Sequence, residues 1–130
     1  MSIRVAINGF GRIGRSVFRL LSDQPSIEVI AINDLFDNEV LSYLLQYDTI
    51  MGTFDKKVTY DEKVIFVDGT PIERTQIRDP KKLPWKQMGI DVVVESTGIF
   101  RTRASLEAHL QAGAKRVLLT VPPKDEIDAM

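Results

Sequence analysis

The sequence predicts an α/β chain built on a doubly wound, mostly parallel sheet with an antiparallel strand insertion. Three observations carry that expectation. Val5-Ala6-Ile7-Asn8-Gly9-Phe10-Gly11-Arg12-Ile13-Gly14-Arg15 reads as a short apolar strand, a turn with glycines at G-x-G-x-x-G spacing, and the start of a helix. Val29-Ile30-Ala31-Ile32 and Val92-Val93-Val94 are apolar without alternation, as suits parallel strands covered on both faces. Between them, Val58-Thr59-Tyr60, Val64-Ile65-Phe66-Val67 and Thr70-Pro71-Ile72 are short strand candidates, the last two joined by an Asp68-Gly69 pair that suits a tight hairpin.

In chain order, residues 3–8 form the first strand. Ile13, Val17, Leu20 and Leu21 then make an i, i+4, i+7, i+8 stripe for a helix facing the sheet. Pro25 cannot continue that helix. A second strand over 27–33 completes a βαβ unit of about thirty residues, the context that the glycine spacing needs. Asp37 and Asn38 are placed to cap a helix through Val40, Leu41, Leu44 and Leu45. The three short strands are expected as an antiparallel insertion beside the parallel sheet, between its two halves. A proline-rich connection, Arg78-Asp79-Pro80 and Leu83-Pro84-Trp85, follows, with Trp85 as a packing anchor. The strand Asp91 to Glu95 leads into a helix over 103–112, with Leu106 and Leu110 inward and Gly113 as its C-cap, and then into a strand over 116–120.

Composition narrows the function classes. The length of 130 residues is that of one domain, and the formal net charge of −1 gives no electrostatic case for nucleic acid. No apolar run approaches membrane-spanning length, and no signal peptide precedes the first strand, so a cytoplasmic setting without membrane partners is the expectation. The chain has no cysteine, which removes disulfides, thiolate metal sites and any thiol nucleophile. With His109 the only histidine, no histidine metal cluster is expected, and a partly solvated packing role suits it best.

The candidate binding residues follow from the first strand–turn–helix. Gly9 permits the tight reversal, Gly11 lets the backbone approach a pyrophosphate, and Gly14 lets the helix pack against the strand. The helix start adds unpaired N–H groups and the positive end of its dipole. This is the Rossmann-type arrangement for a dinucleotide. Asp34, at the end of the second strand, is placed to accept both hydroxyls of an adenosine ribose. A carboxylate there repels a 2′-phosphate, which favours NAD over NADP. Ser96-Thr97-Gly98 forms a small polar loop at the sheet edge where ligands sit in open α/β sheets. Glu95, beside it, has no partner close in sequence and is expected to make a structural hydrogen bond.

The glycine-turn segment, Ala31-Ile32-Asn33-Asp34, Tyr47-Asp48-Thr49, Leu83-Pro84-Trp85, Glu95-Ser96-Thr97-Gly98 and Ala112-Gly113-Ala114-Lys115-Arg116-Val117 together resemble phosphorylating glyceraldehyde-3-phosphate dehydrogenase, in order and along the whole chain. The resemblance implies that residues 1–130 are its N-terminal NAD-binding domain, with the catalytic domain absent and the sheet incomplete at the C-terminal end. It further implies that Arg12 and Ile13 present backbone N–H groups to the pyrophosphate and that Arg78 lies beside the adenine. Ser96, Thr97 and Gly98 would floor the site, with Thr120 near the nicotinamide. Met51 and Val121-Pro122-Pro123 depart from the family pattern. Family chemistry uses a cysteine nucleophile and a histidine base that these residues do not contain, so the chain alone is expected to be inactive. Glyceraldehyde 3-phosphate and phosphate would engage only with the missing domain, in a parent enzyme that is a homotetramer. Two alternatives stand beside this one: the same domain of an erythrose-4-phosphate dehydrogenase, and a non-catalytic stand-alone binding or interaction module.

Overall fold

The computed structural model describes residues 2–48, 52–100 and 102–120. Thr49, Met51 and Val121-Pro122-Pro123, singled out above, lie outside them. A seven-stranded sheet in the order β3-β4-β5-β2-β1-β6-β7 organises the chain. Its strands are β1 (Ile3–Asn8), β2 (Ile27–Asn33), β3 (Val58–Tyr60), β4 (Val64–Val67), β5 (Thr70–Thr75), β6 (Val92–Glu95) and β7 (Arg116–Leu119). The helices are α1 (Arg12–Leu21), α2 (Asn38–Gln46), α3 (Trp85–Met88) and α4 (Arg103–Gln111), with a 3₁₀ turn at Pro80–Lys82.

The parallel strands run β5-β2-β1-β6-β7, and the order of winding reverses between β1 and β6. This is the doubly wound, Rossmann-type α/β topology expected from the sequence, and it opens a crevice at the carboxyl ends of β1 and β6. One expectation changes. Thr70-Pro71-Ile72 is not confined to an antiparallel insertion. It opens β5, which pairs antiparallel with β4 through residues 70–73 and parallel with β2 through Glu73–Thr75. The insertion is therefore β3 and β4 at one edge of the same sheet. Asp68 (φ 49°) and Gly69 (φ 81°) join β4 to β5 in the two-residue turn whose positive φ values match strand twist.

Alternation along the strands divides the core into two layers. Ile7, Ile32 and Val94 face Phe10, Phe18, Leu41, Leu45 and Phe54 on the α1 and α2 side. Ala6, Ala31 and Val93 face Trp85, Leu83, Ile90 and Ala114 on the α3 side. The α1 stripe differs from its expected composition: Ile13 and Leu20 are exposed, at 45% and 68%, while Gly14 and Phe18 are buried beside Val17 and Leu21. The reason is the closeness of α1 to the turn, which rotates the helix so that its glycine faces inward. Leu110 is likewise exposed, and the inward positions of α4 are Leu106, Ala108 and His109. Asp37 caps α2 by accepting from Val40 N, which leaves Asp34 free of that task. Gly113, at φ 117°, follows the end of α4, where an added Cβ would come within 2.6 Å of Lys86 N and Cα.

Candidate cofactor site

The three glycines of the turn meet different surroundings. Gly9 holds φ 91°, and a Cβ there would lie 2.7 Å from Thr97 N, so the turn and the loop after β6 touch backbone to backbone. Gly14 faces Gly9 O and Ser96 Oγ, the latter only 2.9 Å from where a Cβ would stand. Around Gly11 nothing lies within 4 Å of that position. Gly11 is also the N-cap of α1 and offers no side chain to its first turn. An uncapped ten-residue helix thus directs its first N–H groups, with the positive end of its dipole, past an open approach. That combination fits the pyrophosphate of a dinucleotide. Arg12 and Ile13 stand exposed at this opening. Arg15, one residue past the fingerprint, turns its guanidinium back to Phe10 O at 3.1 Å. Burial lowers its pKa against the pull of Asp48.

Asp34 is tied to the same turn. Its Oδ2 accepts from Phe10 N at 2.7 Å and its Oδ1 from Phe36 N at 2.9 Å. Each oxygen keeps a lone pair for a further donor, so the carboxylate can still take two hydroxyls. The loop behind it is clasped by a residue that sequence reading missed. Arg74 spends its donors on Asn38 Oδ1, Ile32 O, Thr75 O, Asp34 O and Phe36 O, at 2.7, 3.1, 2.8, 3.3 and 2.5 Å. Its burial lowers the guanidinium pKa, opposed by Asp34 and Asp37. Nothing local in sequence marks Arg74, since four of its five acceptors belong to the segment from Ile32 to Asn38, about forty residues back.

On the other side of the crevice, Ser96 Oγ donates to Gly9 O at 2.5 Å, locking the loop after β6 to the glycine turn. Thr97 is half-buried, with its Oγ1 accepting from Ile99 N at 3.1 Å, and Gly98 is exposed at φ 78°. Thr120 sits just past β7, where its N and Oγ1 both donate to Glu95 O, at 3.2 and 3.1 Å. Gly9, Gly14, Asp34, Ser96, Thr97 and Thr120 therefore form one connected edge. Arg78 stands apart: it is exposed, and among the described residues no hydrogen bond joins it to the other candidates. Its neighbour Ile77 is held instead, through N and O, by the Asn33 amide at 3.0 and 2.9 Å.

Beneath this edge runs a row of polar residues. Thr75, Asn33, Asn8 and Glu95 are the last residues of β5, β2, β1 and β6 and pair with one another in register. Their side chains are hydrogen-bonded in series: Thr75 Oγ1 to Asn33 Oδ1 (2.6 Å), Asn33 Nδ2 to Asn8 Oδ1 (2.7 Å), and Asn8 Nδ2 to Glu95 Oε1 (2.7 Å). Glu95 makes the structural hydrogen bonds expected of it. His109 departs from its expected solvated role: it is fully buried and bonded through Nε2 to Glu95 Oε1 at 2.7 Å. Its Nδ1 accepts from Trp85 Nε1 at 3.1 Å, so the anchor tryptophan also ends the row. The sequence signal was a polar residue closing each apolar strand, legible once the strands are aligned.

Comparison with known proteins agrees with this geometry. Residues 3–103 match the family described as glyceraldehyde 3-phosphate dehydrogenase, NAD binding domain. The chain is 54% identical over 125 residues to glyceraldehyde-3-phosphate dehydrogenase of Thermotoga maritima, covering 95% of this chain and 38% of that protein. It is 50% identical over 127 residues to the Streptomyces coelicolor protein of the same name, covering 97% of this chain and 38% of the relative. With glyceraldehyde-3-phosphate dehydrogenase 1 of Bacillus subtilis the identity is 48% over 126 residues, again covering 97% and 38%. The chain thus spans 38% of the length of these curated relatives. It belongs to the glyceraldehyde 3-phosphate dehydrogenase NAD-binding domain family, and NAD is the cofactor of that domain.

Proposed function

We infer that Gly9, Gly11, Arg12, Ile13, Gly14, Asp34, Arg78, Ser96, Thr97, Gly98 and Thr120 hold NAD in this chain, and that the protein to which the domain belongs oxidises glyceraldehyde 3-phosphate with phosphate uptake. The observation that carries the binding assignment is the Asp34–Phe10 N hydrogen bond, which sets a carboxylate at the mouth of the uncapped glycine turn. The first-turn N–H groups of Arg12 and Ile13 receive the pyrophosphate, and Gly11 keeps their approach open. Asp34 accepts the adenosine ribose hydroxyls and discriminates against a 2′-phosphate by charge. Arg78 lies toward the adenine, because Asn33 anchors its segment to the end of β2. Ser96, Thr97 and Gly98 floor the crevice, and Thr120 closes its nicotinamide end.

When bound, NAD supplies the hydride acceptor; the chain's own part is to bind and orient it. These residues contain no cysteine, so a thiol nucleophile of the family's kind comes from outside them, and the chain by itself is expected to turn nothing over. The substrate reading rests on the family match and the names of the relatives, while phosphate uptake, a homotetrameric parent and a cytoplasmic setting rest only on the resemblance and composition read from the sequence. Among the described residues no helix is long and apolar enough to cross a membrane. Calorimetric titration tests the assignment: NAD and ADP-ribose should bind, NADP at least about tenfold more weakly. Asp34→Asn should narrow the NAD-to-NADP gap. A folded chain that binds neither NAD nor ADP-ribose refutes it.

A further inference from the structure

Most peptide groups of the glycine turn already have partners. Gly9 N donates to Asn33 O at 2.8 Å, and Gly9 O accepts from Ser96 Oγ at 2.5 Å. Phe10 N donates to Asp34 Oδ2 at 2.7 Å. The next two carbonyls are held by one residue. Arg15 Nη1 donates to Phe10 O at 3.1 Å, and Arg15 N donates to Gly11 O at 2.9 Å. Among the described residues the N–H groups of Gly11, Arg12 and Ile13 have no partner, and all three residues are exposed. The turn is thus tied down on every side except the one from which the phosphates are proposed to approach.

A trans peptide is planar, with its C=O and its N–H pointing in opposite directions. Holding Phe10 O therefore sets the direction of the Gly11 N–H, and the Asp34 bond to Phe10 N fixes the peptide before it. Phe10 is 1% exposed, so water does not reach its carbonyl to replace the guanidinium. Arg15 holds this place at a cost. Its Nε is buried and unpartnered among the described residues, and burial lowers its pKa, with Asp48 and Asp34 opposing. A buried donor left unpaired opposes folding, so stability alone does not account for the arrangement.

We propose that Arg15 is a positioning residue for the pyrophosphate part of the cofactor site: its side chain and backbone N–H hold Phe10 O and Gly11 O, and so aim the Gly11, Arg12 and Ile13 N–H groups at the phosphates. This rests on the binding assignment above. Asp34 keeps ties of its own, to Phe36 N and, through its carbonyl, to Arg74. A ligand that carries the adenosine but no phosphate should therefore be indifferent to Arg15.

The test titrates the wild-type chain, Arg15→Met and Arg15→Lys with ADP-ribose and with adenosine, and follows the Gly11 amide by NMR. Arg15→Met should weaken ADP-ribose about tenfold and leave adenosine within about twofold. Arg15→Lys, with a point charge on a flexible stem in place of the planar fork, should lose part of the same ratio. The loss in Arg15→Met, relative to wild type, should persist at about 1 M salt, where screening acts over about 3 Å. The Gly11 amide resonance should move in Arg15→Met, while that of Gly69 in the β4–β5 turn stays in place. Equal losses for both ligands, no loss for either, or an unmoved Gly11 amide overturns the proposal. So does a loss that vanishes at high salt, which would mark attraction between the guanidinium and the phosphates alone. If Arg15→Met does not fold, a wild-type ratio in Arg15→Lys overturns it. A folded wild-type chain silent to both ligands overturns the binding assignment and this inference with it.

Discussion

Gly11 and Gly14 differ by three positions, yet replacing each with alanine should separate binding from folding. At Gly14 a methyl group would stand 2.9 Å from Ser96 Oγ and 3.3 Å from Gly9 C, with Gly9 O closer still. Two of those atoms are backbone of a turn pinned to β2 by Gly9 N–Asn33 O at 2.8 Å, so α1 must move instead. Overpacking of this kind costs about 1–3 kcal/mol, and the upper part applies where backbone is struck. Alanine's better helix propensity returns about 1 kcal/mol. The net loss of about 1–2 kcal/mol lowers Tm by about 4–8 °C in a domain of this size. At Gly11 the φ of −76° is open to any residue and no atom lies within 4 Å. The cost of alanine at an N-cap, about 0.5–1 kcal/mol, is offset by about 0.4–1 kcal/mol from a stiffer unfolded chain. Gly11→Ala should therefore keep Tm within about 2 °C while weakening NAD at least about tenfold, because its methyl group fills the phosphate approach. Thermal unfolding followed by circular dichroism and NAD titration measure both quantities. Undiminished NAD affinity in Gly11→Ala, or a Gly14→Ala chain as stable as wild type, would show the assignment of the two glycines to be wrong.

Other consequences can be checked in the same assays. Arg74→Lys keeps the charge but cannot reproduce five directed N–H donors, so it should lower Tm by an amount matching about 1–2 kcal/mol and weaken NAD through the loosened loop after β2. Gly113→Ala should destabilise by about 2 kcal/mol or more, since φ 117° strains any Cβ and Lys86 backbone occupies its place. Asp91 accepts from Arg4 N at 3.0 Å and pairs with Lys115 at 3.1 Å, and these contacts, the backbone one foremost, hold its pKa below the ordinary 3.8. A carboxyl depressed in the folded state contributes stability above its unfolded pKa and loses it as pH falls through the folded value. Acid titration of stability below about pH 4 should thus be steeper in wild type than in Asp91→Asn, and identical slopes would contradict the contact.

The parts of the fold and of the proposed site that sequence spacing points to are those governed by local chemistry. The glycine triplet, the acid after the second strand, the Asp37 cap and the Asp68-Gly69 turn each depend on residues a few positions apart, where backbone sterics and capping leave few alternatives. Ile13 and Leu20 depart from the expected α1 stripe, while Val17 and Leu21 keep to it, because helical periodicity gives a face but not its rotation, which close contact between α1 and the turn decides. Leu110 departs from its stripe on α4 in the same way. Sequence spacing places the antiparallel start of β5 but not its continuation through Glu73–Thr75, since the parallel neighbour of that end lies about forty residues back.

By itself, then, the sequence determined the alternation of strands and helices, the NAD-type turn with Asp34 beside it, and the family. Tertiary structure alone decided which polar groups stand within bonding distance. Glu95 reaches Asn8 and Arg74 reaches Asp34 only after β6 and β5 flank the first βαβ unit. Single residues show no trace of such contacts. Buried hydrogen bonds are selected by strand register across the whole sheet, and register is a property of pairs of strands far apart in the chain.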